Sequence, residues 1–147
     1  MMRRILVSGL WLLLAGTAFA AEIDSRPFAG GTLTIENGGR VSSKTAVVGF
    51  GDSTQTSEAK VDFDAPSPGQ VSLWAVEDNL TIGPSGAGLV DVGNGGQLVV
   101  NQNVSIVDGM LKVMGGYTAT NAASLLEVMG SVLVGGPNTG ILFLDDG

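Results

Sequence analysis

The sequence predicts an all-β solenoid, and three observations lead to that fold class. One short alternating strand followed by an Asn/Asp-Gly turn occurs three times: Gly31-Thr-Leu-Thr-Ile-Glu-Asn-Gly38, Gly88-Leu-Val-Asp-Val-Gly-Asn-Gly95 and Gly140-Ile-Leu-Phe-Leu-Asp-Asp-Gly147, at offsets of 57 and 52 residues with no gap inside any copy. Recurrence of one strand-turn unit marks a repeat architecture, most often a solenoid. Glycine is abundant, 23 in all, and falls between short Val/Leu/Ile runs without a strict three-residue period. That spacing excludes collagen and suggests tight turns joining many short strands. Finally, successive strands lie only a few residues apart, too close for the βαβ crossovers of an ordinary parallel sheet.

The chain begins with what reads as a secretory leader over residues 1–20. Arg3 and Arg4 precede an apolar run from Ile5 to Gly16, and Ala18-Phe19-Ala20 fits the small-x-small cleavage rule. Cleavage is expected after Ala20, because the apolar run falls short of the ~20 residues that span a bilayer. The remaining 127 residues hold 5 Lys and Arg against 14 Asp and Glu, a net charge of −9. Such a surface repels phosphate backbones and anionic lipid, so neither nucleic acid nor membrane insertion after leader removal is expected. Cys and His are both absent. The exported chain must therefore be held by its core rather than by disulfides. Ser-His-Asp and Cys-His catalysis are excluded from this chain alone.

Residues 21–30 read as an irregular lead-in containing Pro27, and 31–147 as the solenoid segment. From Thr32 the period is two: Leu33 and Ile35 point one way, Thr32, Thr34 and Glu36 the other. Asn37-Gly38-Gly39, Asn94-Gly95-Gly96 and Asp146-Gly147 are the expected corners, built from residues that tolerate positive φ. Gly51 to Glu58 reads as a polar loop, and Pro66-Ser-Pro-Gly69 as a bulge from the body, since proline cannot donate to a ladder. Val61 to Asp64, Val71 to Ala75, Leu80 to Ile82, Gln97 to Val100, Val104 to Ile106 and Met110 to Val113 read as strands. Thr120 to Met129 is compatible with a capped helix or with a strand over Leu125 to Val128. The strand is preferred because both flanks are β-repeat. The expected dry column contains Leu33, Ile35, Val90, Val92, Leu142 and Leu144. At ~4.8 Å per coil, about six coils of roughly twenty residues would make a rod near 30 Å long.

The landmarks Val48-Gly49, Ile82-Gly83 and Val134-Gly135 resemble the Ile/Val-Gly element that precedes a Gly-x-Leu-x-Ile/Val-x-Asn-Gly-Gly strand and turn in the tandem repeats of exported bacterial surface proteins, autotransporter passengers and PEP-CTERM-type proteins. Ser72-Leu-Trp74, six residues before Leu80-Thr-Ile82-Gly83, resembles the Ser-x-Trp element of those repeats. The resemblance covers most of residues 30–147. It implies a right-handed parallel β-helix exported to the cell surface as a stalk or passenger, with no catalytic role in the repeat. The sequence carries neither a C-terminal barrel pattern nor a Pro-Glu-Pro sorting tail and stops on the third turn, so a partial, C-terminally truncated solenoid is expected.

Asp62 and Asp64 are two apart on a strand and share a face, so they are the candidates for Ca²⁺ binding or acid/base work. A solvated strand face is the preferred reading. Glu77-Asp78 and Asp145-Asp146 read as exposed turn residues. Gly83-Pro-Ser-Gly-Ala-Gly88 lacks the lysine and following helix of a phosphate loop. Asn79-Leu-Thr81 and Asn103-Val-Ser105 match the glycosylation pattern, a match read as coincidental. Trp74 and Tyr117 could stack on a sugar, but core or turn packing is preferred. Met110, Met114 and Met129 read as gap fillers. The resulting expectation is an exported, non-catalytic, cofactor-free and metal-free solenoid with a structural or adhesive cell-surface role. Its expected partners are glycans or other surface components, or a second copy through the C-terminal edge, where Ile141 and Phe143 face outward. The alternative is a fragment of a β-helical polysaccharide lyase or glycoside hydrolase centred on Asp62 and Asp64.

Overall fold

The structure, a computed structural model, describes residues 12–14, 20–23, 32–49, 56–62, 71–117 and 122–145. All regular structure among them is β. Strands β1 (Leu12–Leu14) and β2 (Ala20–Ile23) come first, and β3 (Thr32–Ile35), β4 (Arg40–Ser43) and β5 (Ala46–Val48) make the first coil beyond them. The second coil is β6 (Ser57–Asp62), β7 (Leu73–Val76) and β8 (Leu80–Ile82). The third is β9 (Gly88–Gly93), β10 (Gln97–Val100) and β11 (Val104–Ile106). The fourth begins with β12 (Gly109–Met114), carries an antiparallel pair β13 (Gly116–Tyr117) and β14 (Ala122–Ala123), and continues through β15 (Leu125–Val128) and β16 (Val132–Val134). Strand β17 (Gly140–Asp145) opens a fifth.

Equivalent strands of successive coils pair in parallel and build three sheets: β1-β3-β6-β9-β12-β17, β2-β4-β7-β10-β15 and β5-β8-β11-β16. This is a parallel β-helix. Matching residues of the first sheet give the coil lengths: Thr32 pairs Glu58, Ser57 pairs Gly88, Gly88 pairs Gly109 and Gly109 pairs Gly140, so the coils run 26, 31, 21 and 31 residues. The sequence repeat at offsets 57 and 52 is therefore two coils, not one. Odd coils turn from first to second sheet through Asn37-Gly38-Gly39 or Asn94-Gly95-Gly96, whereas in even coils ten sequence positions, 63–72 and 115–124, separate the strands of those two sheets. The expected coil of roughly twenty residues fits only the third, which has no long corner.

Period-two patterning produces the core directly. The inward columns are Leu33–Ala59–Val90–Leu111 and Ile35–Val61–Val92–Val113 on the first sheet, Val41–Trp74–Leu98 on the second, and Ala46–Leu80–Val104 and Val48–Ile82–Ile106 on the third. All are buried. Aliphatic side chains buried to this extent stabilise by about 1.5–3 kcal/mol each, and the β-branched majority suits a pleated surface. Ser43 is one of three buried serines among the described residues, with Ser57 and Ser72. Its Oγ accepts the indole N–H of Trp74 at 3.1 Å, which satisfies a buried donor.

The corners follow the same logic. Asn37 and Gly38 have φ of 54° and 75°, and Asn94 and Gly95 have 47° and 87°. Asparagine and glycine are the residues that occupy this region at least cost. Gly39 and Gly96 close the two turns by donating to the carbonyls of Glu36 and Gly93, at 2.9 and 2.8 Å. Between the second and third sheets the corners are tied by a side-chain ladder. Asn103 N and Nδ2 both donate to Asn79 Oδ1 at 3.1 Å, and Ser131 N donates to Asn103 Oδ1 at 2.9 Å. Both carboxamides of the glycosylation-like sites are thus engaged in coil stacking.

Three expectations change. Ala21–Ile23 are not irregular: with Ala20 they form β2, paired in register with Arg40–Ser43, because the edge of β4 offers them a parallel partner. Leu142 and Leu144 lie on the inward face opposite Leu111 and Val113, yet Leu144 is 64% exposed because no described residue stacks beyond β17. Asp62 is not a solvated face residue, as its surroundings below show. The window at 120–129 is a strand over Leu125–Val128, as preferred, since the edge of β10 lies open to it. Asp64, Pro66, Pro68, Asp146 and Gly147 lie outside the described residues.

Candidate functional site

The outward face of the first sheet carries the charge. Strand alternation sends Glu58, Lys60 and Asp62 of β6 outward, and the parallel register stacks Lys60 on Asp91 and Asp91 on Lys112. A neighbouring column runs Asp62, Gly93, Met114 and Asp145. Gly93 contributes no side chain, and an added Cβ there would meet nothing nearer than Asp91 Oδ1 at 3.9 Å. The gap opens a recess of about 310 Å³ lined by Lys60, Asp62, Asp91, Asn94, Met114 and Asp145.

Asp62 anchors this recess. Although it points outward it is 6% exposed, and both carboxylate oxygens are engaged. Asn94 Nδ2 donates to Oδ1 at 2.8 Å, and Lys60 Nζ lies 2.9 Å from Oδ2. Lys112 Nζ is 3.7 Å from Asp91 Oδ2, a looser pair. The hydrogen bond to Asp62 raises the Lys60 pKa above its ordinary value; partial burial opposes this, and the charges of Asp62, Asp91 and Glu58 add to it. Because the folded state holds this proton more tightly than the unfolded chain, the stabilisation is complete below about pH 10.5 and is lost as pH rises through the folded pKa. The Lys60 side chain is 44% exposed, so solvent screening keeps the effect small.

Chemically, the recess offers the Lys60 ammonium, carboxylate acceptors, a carboxamide and the thioether wall of Met114, groups suited to hydroxyl-rich ligands. An acid/base role for Asp62 would first require displacing Lys60 or Asn94. Among the described residues no three Asp or Glu side chains come close enough to hold a metal ion, and the partner proposed for Asp62, Asp64, lies outside them. Sequence reasoning missed Lys60 and Asp91 and named Asn94 only as a corner residue. Alternation put Lys60 beside Asp62, but bringing Asn94 there needed the 31-residue coil length, which no local pattern reveals. Trp74, at 1% exposure, is a core residue, and Asp78 accepts Gln102 Nε2 at 3.0 Å in the corner ladder. Comparison with known proteins finds no matching family model, no matching curated protein and no matching solved structure.

Replacing Asp62 tests the site's structural share. Asp62→Ala orphans the Asn94 amide and the Lys60 ammonium, and we expect it to cost about 1–2 kcal/mol in urea unfolding. Lys60→Ala should cost under about 1 kcal/mol, the range of an exposed pair. If the two costs match, the Asn94 bond contributes nothing.

Proposed function

We propose that the chain is an exported, non-catalytic β-solenoid with a structural or adhesive role at the cell surface, related in kind to the passenger and PEP-CTERM-type repeats it resembles. The observation that carries this reading is the state of Asp62. Asp62 has both carboxylate oxygens engaged, Oδ1 by Asn94 of the next coil and Oδ2 by Lys60 of its own strand, which is the behaviour of a structural clasp rather than of a poised base. The leader pattern supports export. Cleavage after Ala20 would remove β1 and leave β3 as the terminal strand of the first sheet. The recess beside Asp62 is the place where a surface glycan would be held. The test is to offer acidic and neutral polysaccharides to the purified chain with and without calcium. No depolymerisation is expected, with retention on immobilised glycans. Calcium-dependent cleavage that disappears in an Asp62→Ala, Asp64→Ala variant would replace this reading with the lyase one.

Self-association belongs to the same proposal. Val132 and Val134 stack on buried Val104 and Ile106 but are themselves 40% and 43% exposed, and Ile141 and Phe143 add 41% and 43% on the outer side. An open edge with this much apolar surface invites pairing with another chain. Light scattering should therefore show oligomers of this chain, reduced by Phe143→Lys with Leu144→Lys. A monomer at concentrations of tens of micromolar would remove the C-terminal edge as a contact.

A further inference from the structure

We infer that the Asn37-Gly38 and Asn94-Gly95 corners are latent cyclisation sites, and that Ser72 and Ser124 are the groups that hold them closed. An Asn-Gly peptide cyclises when the glycine amide nitrogen attacks the asparagine Cγ. The N–Cγ bond forms, the Cγ–Nδ2 bond breaks, and Nδ2 leaves as ammonia with the proton given up by the amide. Water then opens the succinimide to aspartate or isoaspartate. Glycine hinders the attack least, because no Cβ shields its nitrogen. The same two residues that the corners need for positive φ are thus the pair most prone to this reaction.

At both corners the attacking nitrogen is occupied. Gly38 N donates to Ser72 Oγ at 3.1 Å and Gly95 N donates to Ser124 Oγ at 3.0 Å. The two serines hold equivalent places, each immediately before the second-sheet strand of the following coil, Leu73 opening β7 and Leu125 opening β15. Ser124 Oγ donates its own proton to the Met114 carbonyl at 2.9 Å, which turns a lone pair toward Gly95. The Asn94 carboxamide is drawn the opposite way, since its Nδ2 donates to Asp62 Oδ1 in the preceding coil. Nucleophile and electrophile are therefore anchored to the fourth and the second coil, about 9.5 Å apart along the axis. Attack at Asn94 requires both anchors to be released together. An isoaspartate at either place would add a backbone methylene at a corner and disturb the register of every strand after it.

The test follows each asparagine separately by peptide mass during incubation of the full chain in mildly alkaline buffer, with fold checked by far-UV circular dichroism. Ser124→Ala should raise deamidation at Asn94 about three- to tenfold, the reach of one net hydrogen bond, and leave Asn37 at its original rate. Ser72→Ala should do the converse, Ser124→Thr should restore the slow rate, and the chain in urea should show both corners fast. If the folded Ser124→Ala chain deamidates at Asn94 no faster than the unaltered chain, the serine is not a guard. A rise at both corners from one substitution would likewise overturn the assignment, because it reports general loosening. Should Ser72→Ala fail to fold, the Ser124 pair of variants decides alone.

Discussion

Gly83→Ala is expected to abolish folding or to cost more than about 4 kcal/mol, beyond the range of ordinary substitutions. Gly83 ends β8 with φ of 71°, where a side chain alone costs about 1–3 kcal/mol. The larger obstacle is steric. A Cβ on Gly83 would lie 1.5 Å from the carbonyl oxygen of Asp108, in the coil stacked above. No rotamer relieves a clash with backbone, and that backbone is pinned: Gly88 N donates to the same oxygen at 3.2 Å, and Val107 N to the Ile82 carbonyl at 2.8 Å. The coils would have to separate locally, breaking the third sheet. Gly93→Ala is the control, since its new methyl meets open space and should change stability by no more than about 0.5 kcal/mol. Urea melts of the two variants with equal midpoints would mean that coil contact at Gly83 is not tight.

That contact also shows what could be read before the structure. Ile82-Gly83 was visible as a recurring landmark, and so was the alternation of Leu33, Ile35, Val90 and Val92, because both are local patterns. The reason for the landmark was not visible, since Asp108 lies in the next coil and 25 positions away. Coil length decides which residues stack, and here it varies, with more chain between the first two sheets in every second coil. Self-similarity therefore picked out the two-coil unit, in which like corner meets like, and passed over the single coil. The same hidden register kept Asn94 from being matched to Asp62, and Ser72 and Ser124 from being matched to the corner amides they hold. The inward assignment of Leu144 was correct as a direction; its exposure depends on what stacks beyond β17, which alternation does not address.

Trp74 carries the second large effect. It is 1% exposed, the largest of the fully buried side chains among the described residues, and fills the column between Val41 and Leu98. Trp74→Ala should cost about 3–5 kcal/mol, the range for removing a buried aromatic, against a total of about 5–15 kcal/mol for a typical domain. Ser43→Ala leaves the indole N–H without its acceptor and should cost about 1–3 kcal/mol. Trp74→Phe removes that donor together with part of the volume, so Ser43→Ala in the Trp74→Phe background should cost much less than alone. The sequence holds two tryptophans, Trp11 and Trp74, so a chain cut after Ala20 would report on this site by fluorescence without interference. Its emission should be blue-shifted in the folded state and move red in the same urea transition that circular dichroism follows. A Trp74→Ala chain of unchanged stability that lost glycan retention would place the indole on a binding surface, contrary to the burial seen here. Loss of stability with retained binding at low denaturant is the expected pattern, because the column that Trp74 fills lies inside the coil stack while the recess beside Asp62 opens outside it.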